Sequence, residues 1–464
     1  MFLQMRRYLI FAIASIGLLM YSIDSTIVAV AFSSFMKDLG VNVIWASWTI
    51  SIYFIGITTA MPLAGNLSDI FGRKKVFLIS LILFTASSLA CGLAGNIYTL
   101  VAFRALQGIG GASFLPSASG IVSDYFPESR ERMIGLFTSI FPIGGIVGPN
   151  LGGWIVANYS WRYIFYINLP IGVILIVLIM TLLKDSKVNS PPHIDFRGAF
   201  FMSGAILFLM LSLNIIAESF SPLYFLVAAL FTGFSLFLLA LFFRQEKRET
   251  NPILDIALLK STPFLAANLL NLLMGAIIFG SFSFIPLYAT SVHKLSTLMS
   301  GMILTPRSLG MIPASAVTAF LLRRWGYRKP MFIGFIIASL SIILLGQDIP
   351  IWRMIGFRLG VPETLSLLIL LMGIGVGIAL PAANNACIEL MPEKVASIVG
   401  LRGMFRTVGG ALGVSLTTFI LHVSGSYSLG FRITFSSFGL GLLCALPLVF
   451  LMPAGKSWSN ISNI

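Results

Sequence analysis

Asp24 and Arg104 are the only charged residues in two long apolar runs, 8–31 and 98–121. A charged side chain in hydrocarbon costs about 2.5 to 3.5 kcal/mol on insertion scales, so each is a functional candidate by position. Asp24 lies about seven residues before the end of its run and Arg104 about six after the start of its own. With the two runs threaded in opposite senses, ~1.5 Å per residue puts both ~10 Å deep from the same side, where they can pair. Desolvation favours the neutral form of a carboxylic acid and a neighbouring guanidinium the charged form. A change in their separation then loads or releases a proton. The pair is read as a proton carrier, with a static ion pair holding helices together as the alternative.

Other chemistries find little support. Ser113 and Ser117 have no histidine or acid in register for nucleophilic catalysis. The segment QGIGGA (107–112) lacks the final glycine of a nucleotide loop and follows no strand. His193, His293 and His422 are scattered without ligand spacing, so no metal site is expected. Cys91, Cys387 and Cys444 sit in apolar runs as small core residues and imply no disulfide framework. An enzyme is not expected.

The elements that must hold the pair follow from composition. A chain of 464 residues that is 57% hydrophobic and 10% charged is a membrane protein. Runs of roughly 18 to 25 apolar residues, each about long enough to cross ~30 Å of hydrocarbon, recur from 8–31 to 430–451. Fourteen are expected. The first, after Arg6 and Arg7, is too long for a signal peptide and is read as an uncleaved helix. With both termini inside, most Lys and Arg fall in breaks that face the cytoplasm, which orients the chain and accounts for the net charge of +14 without nucleic acid. No break exceeds about 20 residues, leaving no room for the soluble domain of a membrane enzyme or sensor.

The chain also repeats itself. LPSASGIVSDYFPE (115–128) matches LPAANNACIELMPE (380–393) at an offset of 265, placing Asp124 on Glu389. The same offset places Gly144, Gly145 and Gly148 on Gly409, Gly410 and Gly413. At an offset of 254, Gly72 falls on Gly326 and Lys74-Lys75 on Arg328-Lys329. Two six-span halves, 1–184 and 262–464, are thus expected to flank a linker, 185–261, that carries two further spans. Asp24 maps to Ile278 and Arg104 to Ile369, so neither charge is demanded by the repeat.

Several short stretches then resemble the major facilitator superfamily, and within it the fourteen-span drug:proton antiporters. Gly65-x-Leu67-x-Asp69-x-x-Gly72-Arg73-Lys74 resembles the superfamily's signature loop, and Arg104-x-x-Gln107-Gly108 its fourth-span motif. Ile23-Asp24-Ser25-Thr26-Ile27-Val28 resembles the first-span motif of the fourteen-span branch. Gly144, Gly148, Pro149, Gly152 and Gly153 fit the antiporter motif G-x-x-x-G-P-x-x-G-G, followed by Trp161-Arg162-Tyr163 and Ile167-Asn168-Leu169-Pro170. Two departures stand out: the ninth span ends in Ala289-Thr290 where many relatives carry glutamine, and Asp69 has Arg323 at its repeat position. The second-half loop is therefore expected to have lost part of its gating role.

The resemblance implies an all-α integral membrane protein in which two six-helix bundles rock around a midplane cavity. Asp124 and Glu389, twins at cytoplasmic span ends, are read as members of an inner gate with Gly65, Asp69, Gly72, Arg73 and Arg130. Gly144, Gly148 and Gly152 lie four apart and stack on one helix face, while Pro149 removes a backbone hydrogen bond and permits a kink. A tight, bendable contact between the two halves is expected there, sealing the pore against proton leak. Asn268, Asn271, Arg307, Asn384 and Asn385 are candidates for the cavity, and Arg402 and Arg406 are read as structural, snorkelling residues. The implied activity is proton-coupled export of amphipathic small molecules across a cell membrane, the bacterial inner membrane, with both termini cytoplasmic. It uses no cofactor beyond the proton gradient and has substrate, protons and the lipid bilayer as partners, with no nucleic acid; a monomer is expected, and the sequence names no partner protein. Export of one endogenous metabolite or lipid is the alternative.

Overall fold

In hydrocarbon every backbone N–H and C=O must be satisfied within the chain. The described residues meet that demand with helices and show no strand. The computed structural model describes residues 2–129, 133–134, 136–137, 140–184, 195–218, 221–249, 261–347, 359–389 and 395–454. They form two compact units, Met1–Ile253 and Leu254–Ile464. The boundaries expected at 184 and 261 border stretches outside the described residues.

In the first unit, α1 (Phe2–Ile27) continues through a tight turn at Val28–Ala31 into α2 (Phe32–Asp38). There follow α3 (Val43–Phe71), α4 (Arg73–Gly92), α5 (Ile97–Gly111), α6 (Phe114–Tyr125) and α7 (Ile140–Asn158). The short α8 (Tyr163–Tyr166) leads into α9 (Asn168–Leu182), then α10 (Phe196–Glu218) and α11 (Pro222–Glu246). Asparagine side chains start two of these helices: Asn42 accepts from the Trp45 amide at 3.1 Å and Asn96 from the Thr99 amide at 2.9 Å, each satisfying an orphan donor of the first turn. Gly72 separates α3 from α4 at φ +91°, which glycine adopts without steric penalty.

The second unit comprises α12 (Thr262–Phe282), α13 (Ile285–Ser291), α14 (Thr297–Met302), α15 (Thr305–Trp325) and α16 (Arg328–Leu345). It ends with α17 (Val361–Ile388), α18 (Val395–Val423), α19 (Tyr427–Cys444) and the single turn α20 (Leu448–Leu451). Its internal packing repeats that of the first unit. The pairs α1/α7, α3/α5, α4/α5 and α4/α9 have counterparts in α12/α18, α15/α17, α16/α17 and α16/α19. Individual approaches repeat as well. A Cβ on Gly108 would strike the Tyr53 carbonyl, and one on Gly373, its repeat partner, would strike the Arg307 carbonyl. The additional pair α10/α11 belongs to the first unit and leans on α3, where Ser203 hydrogen-bonds the Thr59 carbonyl.

Eleven helical segments among the described residues are long and apolar enough to cross a membrane. The other three expected runs are helical but differ for local reasons. Run 98–121 is divided between α5 and α6 at Ala112-Ser113, and run 297–321 between α14 and α15 at Ile303-Leu304, beyond which come Arg307, Arg323 and Arg324. Run 198–217 supplies a shorter apolar stretch, Phe196–Ser212.

Candidate functional site

Asp24 on α1 and Arg104 on α5 meet in the interior of the first unit. Arg104 Nη1 donates to Asp24 Oδ2 at 2.8 Å, with the two side chains 1% and 0% exposed. Four further helical segments complete the arrangement. Gln107, one turn beyond Arg104, donates to Asp24 Oδ1 at 2.9 Å and accepts from Arg104 Nη1 at 2.7 Å. Asn168, at the start of α9, donates to Asp24 Oδ1 at 3.0 Å and to Ser88 Oγ of α4 at 3.0 Å. Ser88 in turn donates to the Phe165 carbonyl at 2.9 Å. Arg104 Nε donates to the Thr49 carbonyl of α3 at 3.1 Å, and its guanidinium lies 3.9 Å from the Tyr53 ring centroid.

The carboxylate thus accepts three side-chain hydrogen bonds from two helices, as burial of a charge requires. A proton on Oδ2 and the Nη1–H of Arg104 cannot occupy the same 2.8 Å line. Loss of the carboxylate's charge and departure of Arg104 are therefore coupled through this contact. Sequence reasoning found the two charges but gave no role to Gln107, Asn168, Ser88 or Tyr53. The spacing Arg104-x-x-Gln107 places both on one helix face and was a legible signal. The convergence of Asn168 and Ser88 was not.

The glycine face of α7 closes within the first unit on α1, the helix that carries Asp24. A Cβ on Gly144 would collide with Ser22, one on Gly148 with Thr26 and one on Gly152 with Ile27. Hydroxyls knit the same seam: Ser22 donates to the Phe141 carbonyl at 2.6 Å and Thr26 to the Gly144 carbonyl at 3.3 Å. The helix period puts the stacked glycines on one face, and packing turns that face to α1. Pro149 and Gly153 are buried in the same helix. In the second unit the stripe repeats, with Gly409 against Leu272 and Gly413 against Ala276 of α12.

At the junction of α3 and α4, Arg73 pairs with Asp124 at 2.5 Å and also donates to the Gly120 carbonyl, closing α4 onto α6. Gly65 and Asp69 lie on α3 with only their backbone described, and Arg130 lies outside the described residues. The repeat partner of Arg73 is Tyr327, directly after Gly326 at φ +66°. Its hydroxyl is held above the usual phenol range first by burial and then by the nearby charge of Glu389, the partner of Asp124. A phenol in the second unit therefore stands where the first has a guanidinium.

Among the cavity candidates, Asn384 and Asn385 are exposed in the last turns of α17, Asn385 bonding its own helix at Pro381. Arg307 stacks 4.1 Å from the Phe282 ring centroid, and its Nε has no hydrogen-bond partner among the described residues. Asn268 is buried and donates to the Phe264 carbonyl at 3.0 Å. Asn271 donates to the backbone oxygen of Arg402, and the two residues border one narrow pocket in the second unit.

Comparison with known proteins agrees with this architecture. The family model of the Major Facilitator Superfamily matches residues 14–198 and 307–462. The chain is similar to the multidrug transporter protein MdtP of Bacillus subtilis strain 168, 29% identical over 422 residues that cover 90% of this chain and 76% of that protein. It is also similar to multidrug resistance protein 3 of the same strain, at 32% identity over 86% of this chain and 77% of that protein. Among solved structures, a POT family transporter in complex with 5-aminolevulinic acid has the same fold, with a TM-score of 0.72 at 15% identity over 96% of this chain and 95% of that one.

Proposed function

The chain belongs to the Major Facilitator Superfamily of membrane transporters, and from that premise we propose that it is a proton-coupled exporter of amphipathic small molecules, drugs among them, working by alternating access. The relatives named as multidrug transporters support the cargo class. The observation that carries the mechanism is the buried Asp24 carboxylate, held by Arg104, Gln107 and Asn168 in a position that the repeat leaves without a twin. In the proposed cycle, tilting of α1 against α5 separates Arg104 from Asp24, a proton takes the vacated oxygen, and return of Arg104 displaces it on the other side. Ser22 and Thr26 clamp α1 to α7, so the glycine seam moves with the carboxylate. Each proton entering down a 100 mV potential supplies about 2.3 kcal/mol, roughly a 50-fold gradient for a neutral substrate at one-to-one coupling.

The proposal includes fourteen spans in two six-helix halves and a two-helix linker, both termini cytoplasmic in the cell membrane, the Arg73–Asp124 contact as part of an inner gate, and no cofactor beyond the proton gradient. The test is transport in proteoliposomes under an imposed pH gradient, comparing the wild-type protein with Asp24→Asn. Loss of gradient-driven accumulation with substrate binding retained supports the assignment; unchanged accumulation removes Asp24 from the mechanism.

A further inference from the structure

The two oxygens of Asp24 are not served alike. Gln107 and Asn168 both donate to Oδ1, whereas among the described residues Oδ2 accepts from Arg104 alone. Once Arg104 leaves, Oδ2 is a buried polar atom without a partner, which is destabilising. Its requirement also changes with charge: the carboxylate oxygen needs a donor, and the same oxygen carrying a proton needs an acceptor. A guanidinium only donates, but a hydroxyl does both.

Tyr53 of α3 carries such a hydroxyl. The residue is 1% exposed, and its phenolic oxygen is buried without a hydrogen-bond partner among the described residues. The charges of Asp24 and Arg104 both reach it. Its ring lies 3.9 Å from the Arg104 guanidinium, which Phe165 faces at 5.7 Å. The backbone of α3 is fixed at the same place. Thr49, one turn before Tyr53, accepts from Arg104 Nε at 3.1 Å, and Gly108 lets α5 approach the Tyr53 carbonyl, where a Cβ would collide. The phenol is thus held at the ion pair by contacts that leave its own hydroxyl unused. Its repeat partner is Arg307, so the phenol, like the carboxylate, is not demanded by the repeat.

We propose that Tyr53 is a positioning residue for proton carriage: its hydroxyl takes the place of Arg104 at Asp24 Oδ2 in the separated state, donating to the carboxylate and accepting from the carboxylic acid. The proton stays on Asp24 and the phenol keeps its own; only the direction of the hydrogen bond changes. The inference rests on the reading of Asp24 as proton carrier and adds the group that holds its oxygen while Arg104 is away.

Two measurements on the full-length protein in phosphatidylcholine nanodiscs test it. The first is a double-mutant cycle read as melting temperature. In wild type, Tyr53→Phe removes a hydroxyl without a hydrogen bond and is expected to leave the melting temperature unchanged or to raise it. In Arg104→Met, which fills the space of the arginine stem and offers no donor, the same change is expected to lower it, because the phenol has taken up Oδ2 there. Equal effects of Tyr53→Phe in the two backgrounds overturn the proposal.

The second measurement leaves Arg104 in place. Infrared difference spectra between alkaline and acid pH record the C=O stretch of protonated Asp24, identified by its loss in Asp24→Asn. The other titratable groups around the pair, Tyr21 of α1 and Cys91 of α4, give no carboxylic band. In Tyr53→Phe the Asp24 band is expected to move to higher frequency, since the acid has lost a hydrogen bond. An Asp24 band identical in the two proteins overturns this inference and leaves proton carriage standing. Absence of any Asp24 band, with the background-dependent effect of Tyr53→Phe present, overturns proton carriage and keeps the pairing of Tyr53 with Asp24.

Discussion

Asp24 and Arg104 stand 80 positions apart in the chain and 2.8 Å apart in the fold, each almost wholly withdrawn from solvent. A buried ion pair contributes little net stability, but breaking it from one side leaves a bare charge, at about 3 to 5 kcal/mol. Arg104→Ala is therefore expected to lower the melting temperature sharply, and Asp24→Asn added to it to restore part of the loss. A double-mutant cycle on purified protein measures this coupling; additive effects would show that the two residues do not act as a unit.

Asn168 reports on the rest of the cluster. Asn168→Leu removes a donor from Asp24 and from Ser88 at once, and an unsatisfied buried group costs roughly 1 to 3 kcal/mol. Gradient-driven transport is expected to fall by more than the amount of folded protein does. Transport per folded molecule equal to wild type would make Asn168 a packing residue.

The glycine seam gives a suppressor test. In Gly148→Ala the new methyl would meet Thr26 Oγ1 first and would lie 3.0 Å from the Ile23 carbonyl. Overpacking of this kind costs about 1 to 3 kcal/mol and is expected to spread α7 from α1. Thr26→Ala should recover part of the lost stability and transport in the double mutant, because it removes the nearest atom and leaves the Ile23 carbonyl. No recovery would show that the collision lies elsewhere.

Tyr327 makes a pH prediction. Its hydroxyl titrates above the usual phenol value of 10.0 in the folded protein, through burial first and Glu389 second. A raised folded-state value means that the unfolded chain releases this proton first as pH rises. The contribution is thus fully present below the ordinary phenol range and is lost as pH climbs from there through the folded-state value. Melting temperatures measured from pH 9 upward are expected to fall less steeply in Tyr327→Phe than in wild type, and parallel slopes would refute the raised titration of Tyr327.

Much of this protein is written locally. The length and apolarity of each run dictate helices in lipid, because an unpaired backbone group there has no water to turn to. The repeat at offsets of 265 and 254 announces the doubled packing that both units display, down to Gly108 on Tyr53 and Gly373 on Arg307. Isolated charges in apolar runs mark Asp24 and Arg104 before any fold is known. Tertiary structure alone decided which atoms meet. Rotation of α9 and α4 brings Asn168 and Ser88 to the carboxylate, packing turns the α7 glycines toward α1, Tyr327 replaces Arg73 opposite a carboxylate, and Arg402 is left beside an apolar slot. Helix period fixes which residues share a face, but the neighbour that face meets depends on how every other helix is packed, and no short window of sequence carries that information.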